Sequence, residues 1–287
     1  MQIQIPDPVP IGKLKKEYYN ILVYGPSGTG KTIFASTWAK LGPVLLIDTD
    51  DGWLSIKSSK VISEEIKNNT FRVEIQDKYK ALPQPVGYLT IDGILKEIKK
   101  TGKLGNLEPK TIVFDSLTTI SELVLNFVLF TNKHVGRQPT QPDWGQQMAK
   151  LVELITTAKN LNINFLCIAH EQYRKDEISN HAWCLPLVTG KLADRLSLYF
   201  DEVYHSFIRQ EGKNKLYLLR TKGTGLITAK SRLDFKEEIP SDAEILIKEF
   251  EKLHNIKTKE EENKNEKQLQ LANNIQPRGN QNNQINK

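Results

Sequence analysis

Residues 25–32 read Gly25-Pro26-Ser27-Gly28-Thr29-Gly30-Lys31-Thr32, set between an apolar run, Asn20–Tyr24, and the amphipathic stretch Lys31–Ala39. No other feature limits the fold so strongly. The glycines let the backbone turn so that successive N–H groups converge on one point. A helix beginning at the lysine adds its dipole there. Strand, loop and helix together make a cradle for a phosphate chain. In it Lys31 reaches the β- and γ-phosphates and the Thr32 hydroxyl is placed for Mg²⁺. The alternative, a glycine turn carrying a surface lysine, explains the full pattern and its context less well. The chain is expected to bind ATP with Mg²⁺, but the loop alone does not say to what end.

At 287 residues the chain can bury one large core. Its hydrophobic content, 39%, is low for that, and the deficit concentrates in residues 257–287, which hold 13 Asn or Gln and no aromatic residue. Such a stretch cannot bury enough surface to offset its ordering entropy. The expected organisation is an N-terminal arm over 1–17, a core over 18–240, a helix over 241–256 and a disordered tail over 257–287. The formal net charge of +6 permits a polyanionic partner without requiring one. Cys167 and Cys184 have no zinc-like spacing, and Cys167 sits in an apolar run as expected of a buried thiol in a reducing compartment. No apolar stretch approaches membrane-spanning length, so the expectation is a cytoplasmic protein without a membrane partner.

Four runs read as short strands: Asn20–Tyr24, Val44–Ile47, Thr111–Phe114 and Asn164–Ala169. The middle ones do not alternate, which is what strands buried on both faces of a parallel sheet require. Helical patterns intervene over Lys31–Ala39, Ile91–Lys100, Ile120–Thr131 and from about Gly145 to Lys159. The alternation predicts an α/β fold with a mostly parallel sheet flanked by helices. Beyond residue 195 the texture changes. Glu202–Arg209 and Lys215–Thr221 flank a glycine turn and predict an antiparallel hairpin, and Ser241 followed by Glu244 predicts a capping box.

Acids mark the ends of two strands. Asp115 closes TIVFD and suits a carboxylate that holds Mg²⁺ through water; the alternative is an aspartate capping the next helix. The residue after it is Ser116 rather than a second acid, so a base must come from elsewhere or hydrolysis is slow. Asp48 closes the second strand, with Asp50 and Asp51 just beyond. One of these can orient water at the rim of the sheet, unless they are simply a loop of acids preceding a helix.

An acid two residues past a strand-ending aspartate, together with the Asp-Ser strand end, resembles the RecA-type recombinase ATPases, over roughly residues 18–232. The likeness is to phage-encoded members with a minimal core, associated with single-strand annealing and recombination. It implies a RecA-like core with a C-terminal antiparallel extension. It places Asp50 on the catalytic glutamate, one methylene shorter, and His170 on a glutamine that reports nucleotide state. By itself His170 reads equally as a structural histidine at a strand end. The resemblance implies that Arg220 and Lys222 reach across a subunit boundary to the neighbour's γ-phosphate, in a ring or filament with nucleotide between protomers. The alternative for that pair is an exposed basic strand edge. Two loops, Glu171–Leu185 and Thr131–Trp144, fall where the family contacts single-stranded DNA; the first carries Tyr173, Arg174, Lys175 and Trp183, the second Lys133, His134 and Arg137. Further expected partners are phage or host replication and recombination proteins.

Overall fold

The four apolar runs become neighbouring strands. In the computed structural model, which describes residues 7–11, 14, 16–77, 84–177 and 180–252, β1 (Asn20–Tyr24), β2 (Val44–Asp48), β4 (Thr111–Asp115) and β5 (Asn164–Ala169) are almost wholly buried. They form the middle of an eight-stranded sheet ordered β10-β9-β8-β1-β5-β4-β2-β3. From β8 (Glu202–Glu211) to β3 (Thr70–Glu74) every pairing is parallel, and β9 (Asn214–Arg220) and β10 (Glu238–Pro240) add the antiparallel extension. The fold is thus an α/β core with a mostly parallel sheet and a C-terminal antiparallel extension, as expected.

Helices cover both faces. On one, α4 (Gly87–Thr101), α5 (Leu117–Thr131) and α6 (Gln141–Lys159) pack with Leu22, Leu45, Ile112 and Phe165 of the strands in one apolar cluster. Ile21, Val23, Val44 and Leu46 are equally buried but lie outside that cluster, as do Phe34 and Trp38, so the opposite face is covered too. The helix after the phosphate loop, α1, is shorter than expected: it spans Lys31–Ser36 and tightens into a 3₁₀ turn over Thr37–Leu41. The Ser36 and Thr37 hydroxyls donate back to the Ile33 and Phe34 carbonyls at 2.7 and 2.6 Å, diverting groups the α-helix would use. Two short helices, α2 (Trp53–Ser58) and α3 (Glu64–Asn68), lead into β3.

Four strands escape the sequence pattern. β3 is a five-residue edge strand of mixed polarity, and β10 has only three residues. β6 (Glu171–Lys175) and β7 (Ala182–Pro186) form a separate antiparallel pair where a loop was expected. The expected capping box at Ser241 is not made. A helix, α7, runs over residues 243–252, and it is Asp242 whose carboxylate accepts from the Glu244 N–H at 2.9 Å, while the Ser241 hydroxyl is buried without a partner. Asp242 wins because its side chain reaches the N2 position directly.

Residues 16–246 form one compact unit. The expected tail, 257–287, and most of the expected arm lie outside the described residues. Among the described residues no helix is long and apolar enough to cross a membrane.

Candidate functional site

The phosphate loop leaves β1 beside β5 and enters α1, at the edge where the parallel strands end. Its glycines adopt conformations that L-residues avoid, φ 151° at Gly25, 80° at Gly28 and 85° at Gly30. A Cβ on Gly25 would stand 2.3 Å from the Ser206 carbonyl oxygen, so the loop is pressed against β8. The Ser206 hydroxyl donates to the Thr29 carbonyl at 3.1 Å, and the Thr29 hydroxyl to the Pro26 carbonyl at 2.9 Å. β8 runs on past the end of β1, where Tyr24 pairs with His205, so the β8–β9 hairpin overhangs the loop. From β9 the half-exposed ring of Tyr217 lies against Gly30.

Lys31 is buried, and its ammonium donates to the Gly25 and Pro26 carbonyls at 2.9 and 2.6 Å. Burial pulls it down to about 8, against the carboxylates of Asp115, Glu171 and Asp50, which favour the charged form. The Thr32 hydroxyl donates to Asp115 Oδ2 at 2.7 Å. Burial pushes the Asp115 carboxyl up to about 6; the Thr32 bond works against this, and the charges of Asp48 and Asp50 add to it. A hydroxyl and a carboxylate oxygen meeting beside the phosphate loop, among buried acids short of positive charge, fit a hard divalent cation such as Mg²⁺. Asp115 does not cap the following helix, since the Ser116 hydroxyl does so by accepting from the Thr119 N–H at 3.3 Å. The Asp115–Ser116 peptide is cis.

The acid loop after β2 is held from two sides. The Thr49 N–H donates to the Asp115 carbonyl at 2.7 Å, and the Ser116 N–H to the Thr49 hydroxyl at 2.9 Å. The fully buried Asp48 carboxylate accepts from the N–H groups of Asp50 at 3.2 Å and Gly52 at 3.0 Å, and from Arg72 Nε at 2.7 Å. Arg72 also reaches Asp51 at 2.6 Å. Asp50 is thereby presented to hydroxyls of Ser116 at 2.6 Å, Thr119 at 2.5 Å and Thr49 at 3.0 Å. His170 Nε2 approaches the Asp50 carboxylate to 3.6 Å. Burial tends to raise the Asp50 carboxyl, but the bonds from His170, Ser116, Thr119 and Thr49 together bring it down to about 2.

The structure therefore brings Ser27, Lys31, Thr32, Asp50, Asp115 and His170 to one cleft of about 200 Å³. It does not bring Arg220 or Lys222 there. Arg220 Nη2 is 3.0 Å from Glu238 and Nη1 is 3.6 Å from Glu237, and its guanidinium lies over the Phe207 ring. β9 ends at Arg220, so the alternation that would put exposed Lys222 on the same side is interrupted. The cause is Thr221, whose N–H and hydroxyl turn to the Glu237 and Lys236 carbonyls at 2.9 and 2.6 Å. His134, expected in a contact loop, has Nδ1 2.9 Å from the Asp143 carboxylate, while Lys133 and Arg137 are exposed. Sequence reasoning missed Arg72, Thr119 and Tyr217, none of which belongs to a motif. Only the serine in place of a second acid at position 116 signalled that Asp50 has an unusual neighbour.

Residues 17–233 match the family described as AAA domain, well over half of the chain. The chain belongs to the AAA domain family. As a member of it, the chain carries a P-loop NTPase domain, and its loop implies nucleotide binding. Among solved structures it is similar to the RadB recombinase, at 14% identity over 77% of this chain and 86% of that one, with a TM-score of 0.41. It is also similar to the KaiC-like protein PH0186 from Pyrococcus horikoshii OT3, at 13% identity over 79% of this chain and 86% of that one, with a TM-score of 0.44. No curated protein matches this AAA domain chain.

Proposed function

We propose that this protein is a Mg·ATP-dependent ATPase that binds single-stranded DNA and serves annealing or strand exchange in phage recombination or replication. One observation carries the reading. His170, within reach of Asp50 in the nucleotide cleft, is followed directly by the β6–β7 hairpin, whose Tyr173 and Trp183 are exposed and whose Arg174 and Lys175 are basic. Exposed rings beside cations suit stacked bases and a phosphate backbone. A shift of His170 when the γ-phosphate is present or absent would be felt at the first residue of that hairpin.

In this reading the loop N–H groups and Lys31 bind the phosphates, and Thr32 and Asp115 would hold Mg²⁺, which would supply positive charge to the phosphate chain. Asp50 orients the attacking water by accepting its hydrogen bond. With its carboxyl near 2, Asp50 is a weak base, and slow turnover follows. Lys222, exposed past the end of β9, is the cation free to reach a neighbour's γ-phosphate in a ring or filament; Arg220 would have to leave Glu237 and Glu238 first.

The low basicity of Asp50 also favours a second reading, a nucleotide-switched adaptor with little turnover. Hydrolysis measured with and without single strands, beside Lys31→Ala, separates the two. Several-fold stimulation by single-stranded DNA, absent in the variant, supports the ATPase. DNA-indifferent hydrolysis without DNA retention sinks it and leaves the adaptor. Unwinding of a forked duplex in the same preparations would point to a helicase-like motor instead.

A further inference from the structure

Three donor atoms of different chemistry converge where β6, β7 and β8 meet. His205 Nε2 lies 2.8 Å from Glu171 Oε2, and Cys184 Sγ lies 3.4 Å from the same oxygen. All three ligating atoms fall within 4.8 Å of one another. Cys184 and His205 are buried, and Glu171 is mostly so. His205 Nδ1 is buried with no hydrogen-bond partner among the described residues, and the ring packs edge-on to Tyr24 and parallel to Phe207. The phenol of Tyr173 also interacts with Cys184 and Glu171 from the open side.

We propose that Glu171, Cys184 and His205 form a zinc site with its fourth position open to Tyr173 or water. A thiolate, an imidazole and a carboxylate are the donor types Zn²⁺ accepts, and this mixture suits it better than it suits Mg²⁺ or Ca²⁺. Around a tetrahedral ion bonded at about 2.0–2.3 Å, donors sit roughly 3.3–3.8 Å apart. The sulfur–oxygen pair already meets this spacing, the nitrogen–oxygen pair needs to open by about half an ångström, and the sulfur–nitrogen pair, within 4.8 Å, needs to close by up to about 1 Å. The ligands come from three strands rather than from one motif, which is why the cysteine spacing gave no sign of them. The site is separate from the Thr32–Asp115 pair.

Its place has a consequence. Glu171 and Cys184 belong to the two-stranded hairpin, whereas His205 belongs to the strand whose next residue, Ser206, walls the phosphate loop. An ion there ties the hairpin to that wall. The site itself does not depend on the proposed DNA function, and metal content is read without any activity.

The test uses the full chain, stripped with a chelator and titrated with Zn²⁺ or Co²⁺ in excess Mg²⁺. The expected result is about one zinc per chain, with a thiolate-to-cobalt charge-transfer band in the Co²⁺ form. The band should be lost in Cys184→Ser and kept in Thr32→Ala. Glu171→Gln, which preserves shape, should weaken binding at least about 10-fold, with far-UV circular dichroism confirming that it folds. A wild-type chain that takes up no zinc beyond trace, or a cobalt spectrum without the sulfur band or unchanged in Cys184→Ser, overturns the proposal. The three side chains are then a metal-free hydrogen-bonded network.

Discussion

Replacing Arg72 by alanine should show how the acid loop is held. Asp48 is fully buried, and Arg72 Nε, 2.7 Å away, is the cation that meets it. Removing one partner of a buried ion pair costs about 3–5 kcal/mol, because the remaining charge stays uncompensated. Three further contacts go as well, the 2.6 Å pair with half-exposed Asp51, the 3.5 Å pair with Glu74 and the approach to the Trp53 ring, which at exposed positions each contribute about 1 kcal/mol or less. Backbone N–H groups at 50 and 52 still bond to Asp48 and soften the loss. The net expectation for Arg72→Ala is therefore about 3 kcal/mol, read as a lower urea midpoint at unchanged slope. Asp48→Asn in the same background removes the stranded charge and should recover more than half of that loss, so the two changes are strongly non-additive. Because the same loop presents Asp50, turnover should fall further than nucleotide affinity. A loss below about 1 kcal/mol, or a double variant no better than Arg72→Ala, would refute the argument that a buried charge pair holds this loop.

Gly25→Ala meets both a φ of 151° and a backbone oxygen 2.3 Å from the new Cβ, whereas Gly28→Ala shares the dihedral strain, at φ 80°, but meets open space. With strain of roughly 1–3 kcal/mol and a contact only backbone movement can relieve, the first should lower the melting temperature by several degrees more than the second; equal shifts would remove the argument. The depressed Asp50 carboxyl contributes stability that is present above its unfolded value near 3.8 and lost as the pH falls through about 2. The stability gap between wild type and Asp50→Asn should therefore close between pH 4 and 2, and a gap constant across that window contradicts the assigned hydrogen bonds. The half-exposed ring of Tyr217 lies against Gly30, and the prediction is that it stacks on a nucleobase. Tyr217→Ala should weaken ATP binding about 10-fold while Tyr217→Phe does not, and tripolyphosphate, which has no base, should bind both equally; a matching loss for tripolyphosphate removes the stacking role.

What could be read from the chain alone was local. Asn20–Tyr24 and Asn164–Ala169 were legible to the residue, because strands buried on both faces leave continuous apolar runs. The phosphate loop was legible because its chemistry lies in consecutive residues. The edge strand with Arg72 was not, since half of its surface faces water and its polarity resembles that of a loop. The β6–β7 pair was read as a loop for a similar reason: Tyr173 faces out between Gln172 and Arg174, and Trp183 is exposed as well.

The sequence by itself determined that a triphosphate cradle sits on a parallel α/β sheet, and which acids end its strands. Tertiary structure alone decided who meets whom. The order β1-β5-β4-β2 brings His170 to Asp50, and the pairing of β2 with β3 brings Arg72 to Asp48. The length of β8 sets Ser206 against Gly25. The pairing of β9 with β10 decided that Arg220 faces Glu238 rather than solvent. Periodicity reports which side of an element is buried, but the element that covers it is selected by long-range packing, and no local pattern records that choice.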